Sequence, residues 1–239
     1  MVVTKATSVK ATLTRDNFLL PSNMDSRKHS QELDRLLGFN TLKIESKLKK
    51  HFQHYALENS DASKRPYKIN RESWIGLDPH HLLTPYGEVA SLFEKIEHKK
   101  IKTVTDLGCA YGRVGIVSAF YFPDVSFIGY ELVSKRIKEA QRVYETLKLK
   151  NYRLIEDDIL LEDFNLPESC IYFIYDFGRV SDLKKILNKL IERMQTNELI
   201  IIARGDEIQS LMTKFYKEFK KENTVREKSF LIYTHQLNE

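Results

Sequence analysis

The feature that most constrains this chain is the alternation of short apolar runs with amphipathic segments between residues 101 and 217. Five of the runs have the length of buried strands and lie near residues 101–107, 125–131, 152–157, 170–176 and 198–203. Buried strands of a parallel sheet read as continuous apolar runs, and the crossovers between such strands are usually helices. The alternation therefore predicts an α/β fold in which a mostly parallel sheet carries helices on both faces.

Helices are expected between most of these strands, where apolar residues repeat at helical spacing. Their predicted starts are at about residue 112, at Ser134, at Ser181 and near residue 206. Ahead of the first strand, Thr84 and Pro85 have the form of an N-cap followed by proline at the first helical position. The tail contains two more apolar runs, the last at 229–234, and these bring the expected sheet to seven strands.

The first 70 residues differ from the rest in charge, with 13 Lys and Arg against 7 Asp and Glu, compared with 25 against 26 in the remainder. The first 25 residues read as an arm or a poorly ordered lead-in, and two amphipathic helices follow, the first ending at Gly38. A polar stretch at 59–71 marks the predicted boundary. We expect residues 1–70 to form a basic, largely helical extension and residues 71–239 the main domain.

Size and composition exclude several classes of protein. A chain of 239 residues with 42% apolar residues can bury one main core, and it contains no apolar run long enough to span a bilayer and no secretory signal. The two cysteines, Cys109 and Cys170, favour a reducing, cytoplasmic location over a disulfide framework. The histidines lack companions at ligand spacing, so we expect no metal site.

The most informative motif is the loop after the first strand, Asp106-Leu107-Gly108-Cys109-Ala110-Tyr111-Gly112. Nucleotides bind at this position in doubly wound sheets, because small residues allow close approach and the next helix offers unpaired N–H groups. The spacing of the small residues is not that of a dinucleotide fingerprint. Asp106 would repel a pyrophosphate, but it suits a ligand with an ammonium group, such as S-adenosylmethionine.

Two further carboxylates follow at strand ends. Glu131 ends the second strand 23 residues after Gly108, near the offset at which an acid meets ribose hydroxyls. Asp158 follows the third strand and could accept from an adenine amino group, while Ile159 covers the ring.

In this order the motifs resemble those of the class I, seven-stranded S-adenosylmethionine-dependent methyltransferases. The resemblance covers about residues 84–204 and implies a Rossmann-like, doubly wound fold. It implies that the loop holds the methionine moiety, Glu131 the ribose and Asp158 the adenine. The cofactor-binding set that follows is Thr84, Asp106, Gly108, Cys109, Ala110, Gly112, Glu131, Leu132, Asp158 and Ile159. Ala110 stands where the family usually has glycine. The hypothesis of a domain that keeps the fold but does not bind the cofactor therefore stays open.

Three local features narrow the resemblance to the non-SET protein lysine methyltransferases: Leu83-Thr84-Pro85, Gly112-Arg113 and the segment 129–132. A lysine nucleophile must lose its proton, which an aromatic, poorly hydrated channel favours by lowering its pKa. The predicted channel residues are Tyr175 and Phe177. Asp176 between them either orients the amine or caps the next helix.

The acceptor expected from these features is a macromolecule, with a protein lysine side chain as the leading prediction. Other hypotheses stay open: RNA, which the basic extension could bind through phosphates, a small molecule, or a catalytically silent scaffold. The segment after the fourth strand lacks the Asn/Asp-Pro-Pro-aromatic motif of many nucleic-acid and glutamine methyltransferases, which argues against acceptors with a planar nitrogen.

Overall fold

The computed structural model describes residues 13–58, 75, 83–96 and 101–237, with the backbone alone for 52–58. The predicted extension boundary at 59–71 lies outside these residues. Their main feature is one seven-stranded sheet in the order β3-β2-β1-β4-β5-β7-β6. Strands β1 to β5 are parallel, whereas β7 runs antiparallel to both β5 and β6. This arrangement confirms the predicted Rossmann-like, mostly parallel sheet. The strands are β1 Thr103–Leu107, β2 Ser126–Glu131, β3 Tyr152–Glu156, β4 Ile171–Tyr175, β5 Leu199–Arg204, β6 Thr224–Glu227 and β7 Phe230–His235.

The described helices lie close to the predicted positions. They are α1 Ser26–Leu37, α2 Thr41–Glu58, α3 Tyr86–Ile96, α4 Arg113–Tyr121, α5 Ser134–Thr146, α6 Val180–Met194 and α7 Asp206–Ser210. Two predictions were wrong in detail. Ser181 does not cap α6, which begins one residue earlier, and the Asp182 carboxylate accepts from the Arg179 N–H at 2.9 Å. Helix α7, which the sequence predicted over about residues 206–217, ends at Ser210 and continues as a π-helical turn, Leu211–Phe215.

The core forms two layers because successive strand residues face opposite sides of the sheet. In β4, Ile171 and Phe173 pack into the layer beneath α3, α4 and α5. Tyr172 and Ile174 pack into the layer beneath α6 and α7. The central strands β4 and β5 are therefore apolar on both faces, which is why they were visible as continuous runs in the sequence.

Residues 13–25 pack onto the main domain, although the sequence suggested a poorly ordered lead-in through residue 25. A 3-10 helix, Arg15–Phe18, places the Phe18 ring in the core, where it is fully buried. Arg15 donates to the backbone carbonyls of Phe120 and Tyr121 at the end of α4, at 3.0 and 2.8 Å. An isolated aromatic in a polar stretch carries no period, so the pattern alone did not reveal this contact.

Helix α1 is held to α3 and α4 by a charged cluster. Asp34 accepts from Arg113 Nη2 at 2.5 Å and from the Tyr86 hydroxyl at 2.9 Å. The Arg113 guanidinium lies 4.8 Å from the centre of the Tyr86 ring and also donates to the Thr84 carbonyl at 3.3 Å. The extension therefore joins the domain next to the loop that follows β1.

Candidate active site

A cleft of about 660 Å³ opens at the carboxyl ends of β1, β2 and β4. In open α/β sheets this is the edge at which ligands bind. The cleft is lined by Leu107, Gly108, Ala110, Tyr130, Glu131, Leu132, Arg136, Asp157, Asp158, Ile159, Leu160, Tyr175, Asp176 and Phe177.

The loop after β1 is folded back onto β2 by backbone hydrogen bonds. The N–H groups of Gly108 and Cys109 both donate to the Tyr130 carbonyl, at 3.0 and 2.7 Å. Ala110 adopts a left-handed conformation with φ of 49°. That conformation costs an L-residue roughly 1–2 kcal/mol, which explains why glycine is the usual residue there. The buried alanine methyl packs with Leu83 and Tyr111, so the departure from the family pattern is accommodated in the fold.

Gly112, also with positive φ, is the N-cap residue of α4 and contacts α5 closely. A Cβ atom at this position would lie 2.7 Å from the Tyr144 hydroxyl oxygen, and that hydroxyl donates to the Gly112 carbonyl at 2.5 Å. Glycine is therefore required here by helix packing as well as by conformation. Cys109 is buried, and its sulfur lies against Gly129 of β2.

Glu131 is buried at the end of β2 and binds the loop directly. Its Oε2 accepts from the Ala110 N–H at 2.9 Å, and its Oε1 accepts from the Val133 N–H at 2.8 Å. Burial raises the pKa of Glu131, whereas Arg136 and the two backbone N–H groups lower it. The carboxylate thus sets the position of the loop and also lines the cleft.

Asp106 is buried within β1, behind the cleft wall. Burial, together with the negative charge of Glu131, raises its pKa to about 7. Near neutral pH this carboxyl group therefore exchanges a proton, unlike an ordinary aspartate. A cation bound nearby would favour its ionised form.

The segment after β3 forms the opposite wall. The Asp158 N–H donates to Asp157 Oδ1 at 2.8 Å, and Asp158 Oδ1 accepts from the Leu160 N–H at 2.9 Å. Asp158 is half-buried and faces the cleft beside Ile159. This wall combines a carboxylate with two apolar side chains, Ile159 and Leu160.

Tyr175, Asp176 and Phe177 also line the cleft. Their predicted role as a channel for the acceptor stays a prediction. Asp176 caps α7: its Oδ1 accepts from the Ile208 N–H at 2.8 Å and its Oδ2 from the Glu207 N–H at 3.1 Å. Burial raises its pKa, and these two N–H groups lower it. The Tyr175 ring is covered by the Arg204 guanidinium at 4.6 Å from its centre. Asp176 thus binds backbone N–H groups of α7 and not those of the next helix, α6, which Asp182 caps. Its role in catalysis stays a prediction.

Most of the predicted cofactor residues meet at this cleft, but four of them do not form its lining. Gly108, Ala110, Glu131, Leu132, Asp158 and Ile159 line it, while Thr84, Asp106, Cys109 and Gly112 do not. The predicted contacts of those four residues with a cofactor stay predictions.

Five lining residues are not among the site residues predicted from the sequence: Leu107, Tyr130, Arg136, Asp157 and Leu160. Arg136 is almost fully buried, at 2% exposure, and pairs with Glu45 of α2 at 2.8 Å. A single charged residue in the first turn of a helix gives no sign of burial, so no sequence signal identified it. Tyr130 precedes Glu131 at the end of β2, and Leu160 follows Ile159 in the segment after β3. Their position next to predicted residues is the signal that could have found them.

A second, more open cleft of about 1210 Å³ adjoins the first and shares Tyr175 and Asp176 with it. It lies between β5, α7 and the hairpin formed by β6 and β7. Arg204 forms part of its wall, and the exposed Arg226 and Lys228 stand on the hairpin. The two clefts therefore meet at Tyr175, where β4 ends.

Across the described ranges, no group of three or more His, Cys, Asp or Glu side chains is arranged to hold a metal ion. Of the helices in that same part of the chain, none has both the length and the apolar character needed to cross a bilayer. The expectations of no metal site and of a cytoplasmic location stay predictions.

Comparison with known proteins identifies the family. A family model described as a methyltransferase domain matches residues 98–237, more than half of the chain. The chain belongs to this methyltransferase family. This membership confirms the predicted enzyme class and its cofactor, S-adenosylmethionine. All the lining residues of both clefts lie within the matched region.

Two curated relatives of this methyltransferase carry the name ribosomal RNA small subunit methyltransferase G. The relative from Porphyromonas gingivalis is 32% identical over 62% of this chain and 65% of its own length. The relative from Parabacteroides distasonis is 30% identical over 59% of both chains. The methyltransferase thus spans less than two thirds of either relative. These names give no support to the predicted likeness to protein lysine methyltransferases.

Among solved structures, the methyltransferase resembles precorrin-6y C5,15-methyltransferase from Geobacter metallireducens. The TM-score is 0.50 at 15% identity, over 64% of this chain and 89% of the other. At this identity the likeness concerns the fold alone.

The residues of the first cleft fit S-adenosylmethionine in chemistry. Carboxylates suit the ribose hydroxyls and the adenine amino group, and Leu132, Ile159 and Leu160 provide apolar surface for a purine. The exposed backbone at Gly108 allows close approach, because a Cβ there would meet no atom within 4 Å.

Proposed function

We propose that this protein transfers a methyl group from S-adenosylmethionine to RNA, with small-subunit ribosomal RNA as the acceptor. The observation that carries the proposal is the similarity to relatives named for that substrate, at 32% and 30% identity. The predicted lysine acceptor is replaced by RNA, which was one of the alternatives considered from the sequence.

In this proposal the first cleft holds the cofactor. Glu131 receives the ribose, Asp158 the adenine amino group, and Ile159 and Leu132 cover the purine. Bound S-adenosylmethionine supplies an electrophilic methyl group on its sulfonium. The protein's own contribution is to align the acceptor with this group and to exclude water, which are effects of proximity and electrostatics.

The second cleft is the proposed place of the acceptor nucleotide, because it meets the cofactor cleft at Tyr175. The stacked pair of Tyr175 and Arg204 offers a flat, cationic surface suited to a nucleobase. Arg226 and Lys228 at the rim suit the phosphates that flank it. The cleft is open enough to admit a nucleotide that has left its stack.

The engagement of Asp176 argues against the lysine alternative. A lysine amine needs a group that removes or orients its proton, and Asp176 was the candidate. Both of its oxygens instead accept backbone N–H groups of α7. A nucleobase nitrogen that carries a lone pair needs no such base before methyl transfer.

The test is transfer of labelled methyl from S-adenosylmethionine to three acceptors: an unmodified transcript of small-subunit ribosomal RNA, a protein extract and a pool of small metabolites. We expect label in the transcript alone. The Glu131→Ala variant is the loss-of-function control. Label confined to protein or to metabolites, or no label in any acceptor while the cofactor binds, would overturn the proposal.

The rim residues give a second prediction. Arg226→Ala combined with Lys228→Ala should weaken binding of the RNA transcript and reduce the slope of log affinity against log salt by roughly 1.4 to 1.8, since each lost phosphate contact contributes about 0.7 to 0.9. Filter binding at four salt concentrations measures this slope.

The matched control for the rim is Lys184→Ala combined with Lys185→Ala, which removes two exposed charges from α6. We expect the control to leave the salt slope unchanged. An equal loss in both double variants would mean that net charge, and not the second cleft, determines RNA binding.

A further inference from the structure

One face of α3 contacts the turn between β6 and β7 through polar side chains. Positions 88, 91 and 95 share this face because they are three and four residues apart. The contacting pairs are Glu88 with Ser229, Ser91 with Lys228, and Lys95 with Glu227. In the described part of the chain, Glu88 alone of the three helix residues also contacts Arg204, at the end of β5.

The Nε atom of Arg204 lies at a corner formed by Glu88 and Ser229. It is 3.4 Å from Glu88 Oε2 and 3.3 Å from Ser229 Oγ. The Ser229 hydroxyl accepts from Nε and donates to the same carboxylate oxygen, Oε2. Polar groups from α3, β5 and the hairpin turn thus form a closed triangle, in which Glu88 supplies the negative charge and Arg204 the positive charge.

This triangle holds the guanidinium of Arg204 against Tyr175. The two residues are paired in register on β5 and β4, so their side chains leave neighbouring strands at the same edge of the sheet. The guanidinium carbon lies 4.6 Å from the centre of the Tyr175 ring. At a partly exposed site the attraction between cation and ring is weaker than the entropy cost of ordering a long side chain. A charged partner at Nε supplies the missing restraint.

The held guanidinium is part of the wall of the second cleft. The Arg204 side chain is 17% exposed and lines this cleft together with Tyr175 and Ser229. A guanidinium plane on an aromatic ring is a surface on which an unstacked nucleobase can lie. Glu88 is not in the lining, so it can influence a nucleotide in the cleft only through the residues that it holds.

We infer that Glu88 is a positioning residue of the second cleft, which acts with Ser229 to hold Arg204 over Tyr175 as a stacking surface for the acceptor nucleobase. The inference rests on the proposed function, in which the second cleft receives RNA. It gives a role in acceptor recognition to α3, a helix that precedes the matched methyltransferase region.

A purely structural role is the alternative, in which Glu88 only fastens α3 to the hairpin. Among the described residues, Lys95 binds the same turn through Glu227 and makes no contact with Arg204, so it separates the two roles. Charge separates them again. Removing the negative charge of Glu88 makes the surroundings of the cleft more positive, which by itself would tighten RNA binding. Release of Arg204 predicts the opposite result.

The experiment is steady-state methyl transfer by the full chain to an unmodified transcript of small-subunit ribosomal RNA, with each substrate varied in turn while the other is saturating. We expect Glu88→Gln to lower kcat/KM for RNA about tenfold, the size of one lost nucleobase stack. The KM for S-adenosylmethionine should stay within about twofold, because the cofactor occupies the first cleft.

Two variants on α3 are the matched controls. Glu94→Gln makes the same change at an exposed position, and Lys95→Gln breaks another contact between α3 and the hairpin. Both should leave kcat/KM for RNA within about twofold. Equal losses in Glu88→Gln and Lys95→Gln, or no loss in Glu88→Gln, would overturn the inference.

A double variant tests whether Glu88 acts through Arg204. Arg204→Gln should lower kcat/KM for RNA about tenfold, and Glu88→Gln added to it should cause no further loss, because the restrained group is already absent. Losses that multiply would overturn the inference. If Glu88→Gln does not fold, Ser229→Ala replaces it. We expect about a threefold loss from Ser229→Ala alone and none in the Arg204→Gln background, and any other result from the folded variant overturns the inference.

Failure of this inference is distinguishable from failure of the proposed function in the same assay. If the unmodified protein transfers no methyl group to the transcript, the proposed acceptor is wrong and the inference falls with it. If Arg204→Gln methylates the transcript as well as the unmodified protein does, the second cleft is not the acceptor site. If Arg204→Gln is impaired and Glu88→Gln is not, only the role of Glu88 is wrong.

Discussion

Replacing Asp34 with alanine should lower the free energy of unfolding by about 3–5 kcal/mol, because it leaves the Arg113 guanidinium buried without its anion. Arg113 is 4% exposed, and Asp34 binds it through both carboxylate oxygens, at 2.5 Å to Nη2 and 3.2 Å to Nε. The Tyr86 hydroxyl loses its acceptor in the same variant. Urea unfolding monitored by circular dichroism measures the change.

Two further variants test the cause of that loss. Arg35→Ala removes an exposed charge from the same turn of α1 and should change stability by less than about 0.5 kcal/mol. Asp34→Leu combined with Arg113→Met should recover much of the loss, since no buried charge remains unpaired. A change below about 1 kcal/mol in Asp34→Ala would contradict the view that this pair holds the extension to the domain.

The second large effect is a dependence of stability on pH that originates at Asp106. Its pKa is raised to about 7 in the folded protein, against 3.8 as its ordinary value. Between these two pH values the folded state keeps the proton that the unfolded state has lost. The free energy of unfolding therefore falls as pH rises from about 4 to 7, and this contribution levels off above 7.

Asp106→Asn isolates this contribution, because the amide has nearly the same shape and does not ionise. We expect the variant and the unmodified protein to be equally stable near pH 4. At pH 8 the variant should be more stable, by an amount on the order of 4 kcal/mol. Urea unfolding at the two pH values measures the difference, and equal stability at pH 8 would show that Asp106 is solvated in the folded state.

The same group provides a test of its predicted contact with the cofactor. An ammonium group close to Asp106 would lower the pKa of the carboxyl, so binding of S-adenosylmethionine at pH 7 should release about half a proton. Calorimetry in two buffers of different ionisation enthalpy measures this release. Asp106→Asn should abolish it. Binding without proton release in the unmodified protein would mean that Asp106 serves the loop and not the methionine moiety.

Two buried ion pairs connect the N-terminal extension to the main domain close to the cofactor cleft. Asp34 and Glu45 both come from helices that precede the matched region, and each pairs with a buried arginine next to the loop after β1. Two ion pairs therefore lie next to the cofactor loop, and the acidic residue of each pair belongs to the extension. Relatives that lack these helices would need other partners for the two arginines.

The sequence by itself was sufficient to predict the seven-stranded sheet and the position of the loop after β1. Strands such as β4 are buried on both faces, so their residues must be apolar regardless of what surrounds them. The loop from Asp106 to Gly112 was visible because small residues and an acid follow a strand at a spacing that few other structures require. The carboxylate at Glu131 followed from its distance to that loop along the chain.

The ion pairs and caps were decided only by the tertiary structure. A charged residue at position 34, 45, 113 or 136 has the same appearance in the sequence as a solvated one, and its partner lies about 80 to 90 residues away. Asp176 was ambiguous until the turn after β5 placed the N–H groups of α7 on its carboxylate. Local sequence patterns predict which apolar residues are buried. The pairing of buried charges depends on contacts between residues far apart in the sequence, and only the folded chain brings these residues together.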